Sequence, residues 1–263
     1  LFAKFNKTKF KELSNSFNDF GLEFFSMSSA ILLFLAMLLA IFITSKSKHS
    51  NQLELNNVGG GSFDGIKNSL KRSEIRNIAI YVWLWTGLMT IQWITAINIV
   101  EDWSQDSAQR LRFFATVEQV TSPLTLIVQL FLTNIIIKKF GIKNIMLMYG
   151  LLFFLAYLAY GLMPSIISVG IVTVILRIFE YGINKPTRET IFSALQKNDR
   201  YKSTVFIDTF ISRFGDLTGS GFIALSKFTS IAANAVPLLA LPIAGYLSFI
   251  GIKISRDNKI KDL

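Results

Sequence analysis

The sequence predicts an all-α membrane protein, a bundle of about seven transmembrane helices. Three observations carry the prediction. The 263 residues are 51% hydrophobic, with 24 Phe, and only 17% are charged, against about 25% in ordinary soluble domains. Mean hydropathy is +0.46. Apolar runs recur at about the 20-residue length a helix needs to cross the hydrocarbon core. Lys and Arg then cluster in alternate connections between the runs, as the positive-inside rule requires. No segment shows the apolar–polar alternation of a membrane barrel strand. So hydrophobic a chain is not largely disordered.

The runs lie near residues 27–43, 77–100, 113–137, 145–163, 166–184, 203–225 and 231–252. The first is the shortest, and Phe24 and Phe25 extend it. The third and sixth carry charges. Between runs one and two stand Lys46, Lys48, Lys67, Lys71, Arg72 and Arg76. Between three and four stand Lys138, Lys139 and Lys143, and between five and six Lys185, Arg188, Lys197, Arg200 and Lys202. The tail adds Lys253, Arg256, Lys259 and Lys261. The opposite connections hold only Arg110, Arg112 and Lys227. The expected topology therefore puts the first group and the C-terminus in the cytoplasm of a bacterial cell, the chain being multi-pass in its inner membrane. Lys4, Lys7, Lys9 and Lys11 fall outside, far enough from the first run for the rule to weaken. The net charge of +10 then reflects topology and contact with anionic lipid, and no nucleic acid partner is expected.

Residues 45–68 are polar and contain Gly59-Gly60-Gly61-Ser62, a composition that marks flexible chain. Residues 67–76 read as a basic cytoplasmic helix. The expected organisation is a polar lead-in and one helix over 1–45, a cytoplasmic linker over 46–76, a six-helix bundle over 77–254 and a cytoplasmic tail over 255–263. The chain starts at Leu1 without the order of basic, apolar and small residues of a signal peptide. It is expected to be the C-terminal part of a longer protein, partnered in the bilayer by a preceding N-terminal half.

Several chemistries are disfavoured. There is no Cys and one His, His49, in a polar stretch. Disulfides, thiolate metal sites, Cys nucleophiles, multi-His metal sites and a Ser-His-Asp triad are not expected. No Gly-rich phosphate loop or nucleophile–base pair is evident. An enzyme is not expected, nor a cofactor or metal.

Ionisable residues inside the runs are more informative, because a charge at mid-bilayer costs about 2.5–3.5 kcal/mol on insertion scales. Arg177, Glu180 and Asn184 are spaced i, i+3 and i+7 and share one helix face. They either look into the bundle or hold an Arg177–Glu180 pair that neutralises itself. Asp208, Arg213 and Asp216 stand among Gly215, Gly219, Ser220 and Gly221. Three charges among small residues favour a polar cavity, and Arg213 and Asp216 can pair at i, i+3. Glu101 ends the second run beside Asp102 and Trp103, either as an interfacial helix end or as part of a solute path. Glu118-Gln119 precedes Thr121-Ser122-Pro123 in the third run. That Pro, with Pro237 and Pro242 in the last run, predicts helix kinks.

The connection from Asn134 through Lys138-Lys139-Phe140-Gly141-Ile142-Lys143 resembles the short basic motif of the major facilitator superfamily. Asn134 stands where that motif leads with Gly, and Lys138 where it has an acid. Pro186-Thr187-Arg188-Glu189, then Tyr201-Lys202, then Ile207-Asp208 resemble the nucleotide transporters of plastids and obligate intracellular bacteria, the ATP/ADP translocase type. In that family the Pro motif is a turn after the tenth helix. Ile97-Asn98-Ile99-Val100-Glu101 is similar to a further stretch of the family. The resemblance spans roughly residues 70–255. It implies the C-terminal half of a twelve-helix transporter, which one helix ahead of six also suggests. It implies exchange of nucleotides or related anions by alternating access. Glu101 takes the place of a glutamate that matters for transport. Asp216 stands where the family has a lysine, and Arg213-Phe214-Gly215-Asp216 resembles the Arg-Gly-Gly-Asp of other bacterial relatives.

Under this reading Arg177 and Arg213 engage phosphate, and Lys185, Arg188 and Glu189 lie at the cytoplasmic mouth. Glu180, Asp208 and Asp216 hold the cations when no substrate is present. Two alternatives stay open: a major facilitator of another solute, including a proton-coupled one using Glu101 or Glu118, and a membrane scaffold that kept the fold.

Overall fold

The computed structural model describes residues 27, 30–43, 72–193, 197–233 and 235–255, with the backbone alone at 197–199 and 255. Lys4 to Lys11, His49, the glycine stretch, Lys67, Lys71 and the tail from Arg256 lie outside the described residues. Contacts divide the chain into two units, Leu1–Gly59 and Gly60–Leu263.

In the first unit, α1 spans Ala30–Ile43, and every side chain on it is exposed. In the second, the described residues form only helices and short connections, with no strand among them. Helix α2 is Ser73–Trp103, and α3 is Ser107–Ile127. A π-helical turn, Val128–Leu132, joins α3 to α4, Thr133–Leu162. Helix α5, Ile166–Phe179, passes through a second π turn, Glu180–Asn184, into α6, Lys185–Ser193. Helix α7, Lys197–Phe206, passes through a third, Ile207–Ile211, into α8, Ser212–Phe228. Helices α9, Ala235–Leu239, and α10, Leu241–Ser255, complete the unit.

Among the described residues, four helical stretches are long and apolar enough to cross a membrane: Ser73–Trp103, Ser107–Leu162, Ile166–Ser193 and Ala235–Ile254. Apolar residues at one-turn spacing face outward, as Ile167, Ile171 and Ile175 do on α5. The stretch Ser107–Leu162 leaves helical geometry at Gly141, with φ 72° and ψ 159°, a region essentially reserved for Gly. The basic connection expected between runs three and four therefore turns at its glycine. The charged run 203–225 lies within α7 to α8, which is not among these four apolar stretches.

Two expectations need correction. The turn expected at Pro186 is helix, and the run expected to end at Asn184 continues to Ser193. Pro186 cannot donate to the carbonyl four residues back, Gly182. The Thr133 hydroxyl of α4 donates to that carbonyl instead, and the π turn beside it absorbs the change of register. The last run starts later than expected: Ile231 to Ala233 are not helical. The break at Ala240, between Pro237 and Pro242, matches the expected kink.

Aromatic side chains fill the core. Tyr149, Phe153, Tyr157 and Tyr160 form a buried column along α4. The Tyr157 hydroxyl donates to the Leu88 carbonyl at 2.6 Å, and Gln92 Nε2 donates to the Tyr160 hydroxyl at 2.9 Å. Two helix pairs approach through small residues, the usual solution where lipid and side chains are equally apolar. Gly215 and Gly219 of α8 pack on Gly87 of α2. Gly150 of α4 packs on Ala244 and Ser248 of α10.

Candidate functional site

A polar cleft of about 610 Å³ opens between α2, the α5–α6 stretch and the α7–α8 stretch. Its lining includes Arg177, Glu180, Lys185, Arg188, Asp208, Arg213 and Asp216. Trp85, Trp93 and Tyr181 also line it. Seven of the nine residues singled out from sequence thus share one cavity. Glu189 sits at its edge, bound to Arg188. Glu101 lies elsewhere: it is exposed near the far end of α2, where its carbonyl accepts from Gln105 Nε2.

The cations are spread along the cleft. About 16 Å of helix rise separates Arg177 from Arg188. Each cation has an acidic partner. Arg188 is buried, and its two terminal nitrogens reach Asp208 Oδ1 at 2.7 Å and Glu189 Oε1 at 2.9 Å. Its plane lies over the Trp85 and Phe192 rings. Lys185 Nζ is 3.4 Å from Glu180 Oε1 and 3.8 Å from the centre of the Tyr181 ring, a cation–π contact. Arg213 Nη1 reaches Asp216 Oδ2 at 3.0 Å, and the other Asp216 oxygen accepts from the Thr90 hydroxyl at 3.0 Å. Arg213 is otherwise open to the cleft, with its side chain 82% exposed.

Arg177 does not pair with Glu180. It crosses to Glu118 of α3 at 2.7 Å and lies over Trp93. Glu180 pairs instead with Lys185, because the π turn that begins at Glu180 aligns residues five apart. Two of the three π turns place a cleft acid, Glu180 in one and Asp208 in another. Ser212 stabilises the latter turn by donating to the Ile207 carbonyl at 3.2 Å.

Several polar atoms at the cleft are buried with no hydrogen-bond partner among the described residues: Trp85 Nε1, Glu180 Oε2, Asn184 Nδ2 and Arg188 Nε. No group of three or more His, Cys, Asp or Glu able to hold a metal occurs among the described residues. Chemically, the cleft offers four cations, each held by a carboxylate that an incoming anion can replace.

Sequence reading missed Glu118 as the partner of Arg177, and Thr90 as the clamp on Asp216. An ionisable group inside the third run was the available signal for Glu118; nothing in the sequence marked Thr90. The Arg177–Glu118 pair is solvent-accessible, and such pairs contribute about 1 kcal/mol or less. Arg177→Gln is therefore expected to leave the thermal unfolding temperature of detergent-solubilised protein within a few degrees of wild type. A large drop would assign Arg177 to the scaffold and not to the cleft's chemistry. No family model, curated protein or solved structure matches this chain.

Proposed function

We propose that the chain is a membrane transporter for nucleotides of the ATP/ADP type, or related phosphorylated anions, working by alternating access. The single observation that carries the reading is the set of four cations in one cleft, each on a replaceable acid. A polyphosphate crossing low dielectric must have its charge neutralised along the way. Cations spaced over about 16 Å of helix can engage successive phosphates. Arg does so through two parallel hydrogen bonds. When the anion leaves, Glu118, Glu180, Asp208 and Asp216 recover their partners, so the empty cleft keeps no naked charge. The part-exposed rings of Trp93 and Tyr181, uncovered when Arg177 and Lys185 turn to the anion, suit a ligand with a planar group.

The architecture we propose is the C-terminal half of a major-facilitator-type transporter, one helix followed by six. The turn at Gly141 supports the count, because it divides the 56-residue stretch Ser107–Leu162 into two membrane-length pieces. The charged α7–α8 stretch supplies another helix, its apolar side outward and its charges toward the cleft. Rocking of two such halves about a central site is the established repertoire of this architecture. The basic connections, including the Lys185–Arg188 end of the cleft, then face the cytoplasm of a bacterial cell.

The test is uptake of radiolabelled ATP by bacterial cells expressing the full gene, with and without excess unlabelled ADP, beside Arg213→Ala. ADP-sensitive uptake that Arg213→Ala reduces at least tenfold is expected. Arg213 is mostly exposed and has one pair at i, i+3, so its loss should barely affect folding. No uptake by protein shown to be inserted would move the function to another solute or to a scaffold role.

A further inference from the structure

Among the cleft's carboxylates, Glu180 is the exception. The side chains of Glu118, Asp208 and Asp216 are 53%, 41% and 40% exposed, whereas that of Glu180 is 9% exposed. Water can solvate the first three when their cations move away. It cannot reach Glu180 in the same way. One oxygen of Glu180 depends on Lys185, and the other has no hydrogen-bond partner among the described residues. Lys185 itself is more exposed, at 37%, and its stem is flexible. It can leave Glu180 for a ligand in the cleft.

No other cation in the cleft stands ready to replace it. The other cation near Glu180 on its own helix, Arg177, is held by Glu118 at 2.7 Å. From α4 the facing titratable group is Tyr149, a phenol without a partner among the described residues. From α2, Tyr81 reaches the same π turn, its hydroxyl donating to Asn184 Oδ1 at 2.9 Å. Across the cleft, the α7–α8 stretch presents Asp208, Arg213 and Asp216, which are bound to Arg188, to each other and to Thr90. An isolated carboxylate in a low-dielectric site does not stay charged; it takes a proton.

We propose that Glu180 is a proton-binding site coupled to anion binding through Lys185. When an anion draws the Lys185 ammonium from Glu180, the carboxylate takes one proton from the cleft water and becomes a neutral acid. When the anion departs, Lys185 returns as a cation and the proton leaves to water. Lys185 keeps its charge throughout, so each bound anion brings one proton into the site. The identity of the anion as a phosphate compound rests on the function proposed above; the proton site does not.

The test has two arms on the full chain in lipid nanodiscs. The first uses no ligand. Lys185→Met and Lys185→Gln remove the cation, and infrared difference spectroscopy at neutral pH looks for the carbonyl stretch of a protonated carboxylic acid. The band is expected in both variants and absent from wild type, from Lys185→Arg and from the double variant Lys185→Met, Glu180→Gln. No band in the single variants, or a band that survives in the double variant, overturns the proposal. The second arm titrates inorganic tripolyphosphate calorimetrically in buffers of different ionisation enthalpy. Wild type is expected to take up about one proton more per bound anion than Glu180→Gln. Equal uptake overturns the coupling. Failure of tripolyphosphate to bind wild type would instead count against the phosphate reading, and the infrared arm would still decide Glu180.

Discussion

On the transport function proposed above, Arg188→Ala is expected to lower nucleotide uptake by about 30- to 1,000-fold. Arg188 is the most buried cation of the cleft, with its side chain 9% exposed, and the only one bound to two acids, Asp208 and Glu189. Hydrogen bonds that involve charged groups are worth about 1.5–3 kcal/mol each. An Arg that exchanges such bonds with a phosphate as it passes supplies about 2–4 kcal/mol, which is the stated factor in rate. Arg188→Lys keeps the charge but loses the planar fork, and a loss of about tenfold is expected. The check is the initial rate of labelled ATP uptake, normalised to inserted protein. A wild-type rate in Arg188→Ala would remove Arg188 from the path. The stability cost should stay below the 3–5 kcal/mol of a fully buried pair. The side chains of Asp208 and Glu189 are 41% and 56% exposed, so solvent can screen what is left.

The ordering of the cleft was readable only where a spacing rule applies. Arg213 and Asp216 stand three residues apart on a helix, and they pair. Arg177 and Glu180 have the same spacing, and they do not. Glu180 takes Lys185 instead, which the π turn opening at Glu180 brings into line five residues on, and such a turn has no hydropathy signature. The partner Arg177 takes, Glu118, is 59 residues away in sequence, beyond any local rule. Pro186 illustrates the same limit. The resemblance implied a turn at Pro186, whereas the chain there is helix and the neighbouring Thr133 hydroxyl satisfies the carbonyl that Pro186 cannot. What composition did carry was coarse and robust: the all-helical class, the membrane-length apolar stretches, and the expectation that charges within them would turn toward a polar cavity. Glycine was informative twice, at Gly141 through its backbone geometry and at Gly215–Gly219 through small-residue spacing.

That second glycine signal makes the largest expected effect on stability. Gly215→Leu is expected to lower stability by at least about 3 kcal/mol, at or beyond the top of the usual range for overpacking. A Cβ at Gly215 would run into the Thr86 hydroxyl and lie 2.7 Å from the Trp83 carbonyl. The carbonyl is backbone and cannot swing aside, so α2 and α8 must separate. The same contact carries two cross-helix hydrogen bonds, Trp83 Nε1 to Thr218 Oγ1 at 3.0 Å and Thr90 Oγ1 to Asp216 Oδ1 at 3.0 Å. Separation breaks both and releases Asp216 from the position in which it holds Arg213. Gly221 is the matched control: it lies six residues further along α8, and a Cβ there meets nothing within 4 Å. Gly221→Ala should stay within about 1 kcal/mol of wild type, and the direction should be stabilising, since Ala is the better helix former. Thermal unfolding of both variants in the same detergent checks the contrast. If Gly215→Leu unfolds with wild type, α2 and α8 do not meet through their glycines, and the cleft walls are not where the cation–acid pairs need them. If it unfolds early while Gly221→Ala does not, the glycine contact is what sets the distance between the wall that carries Thr90 and Trp85 and the wall that carries Arg213 and Asp216. The width of the cleft, and with it the size of anion that can bridge the two walls, then follows from the absence of two methyl-sized groups.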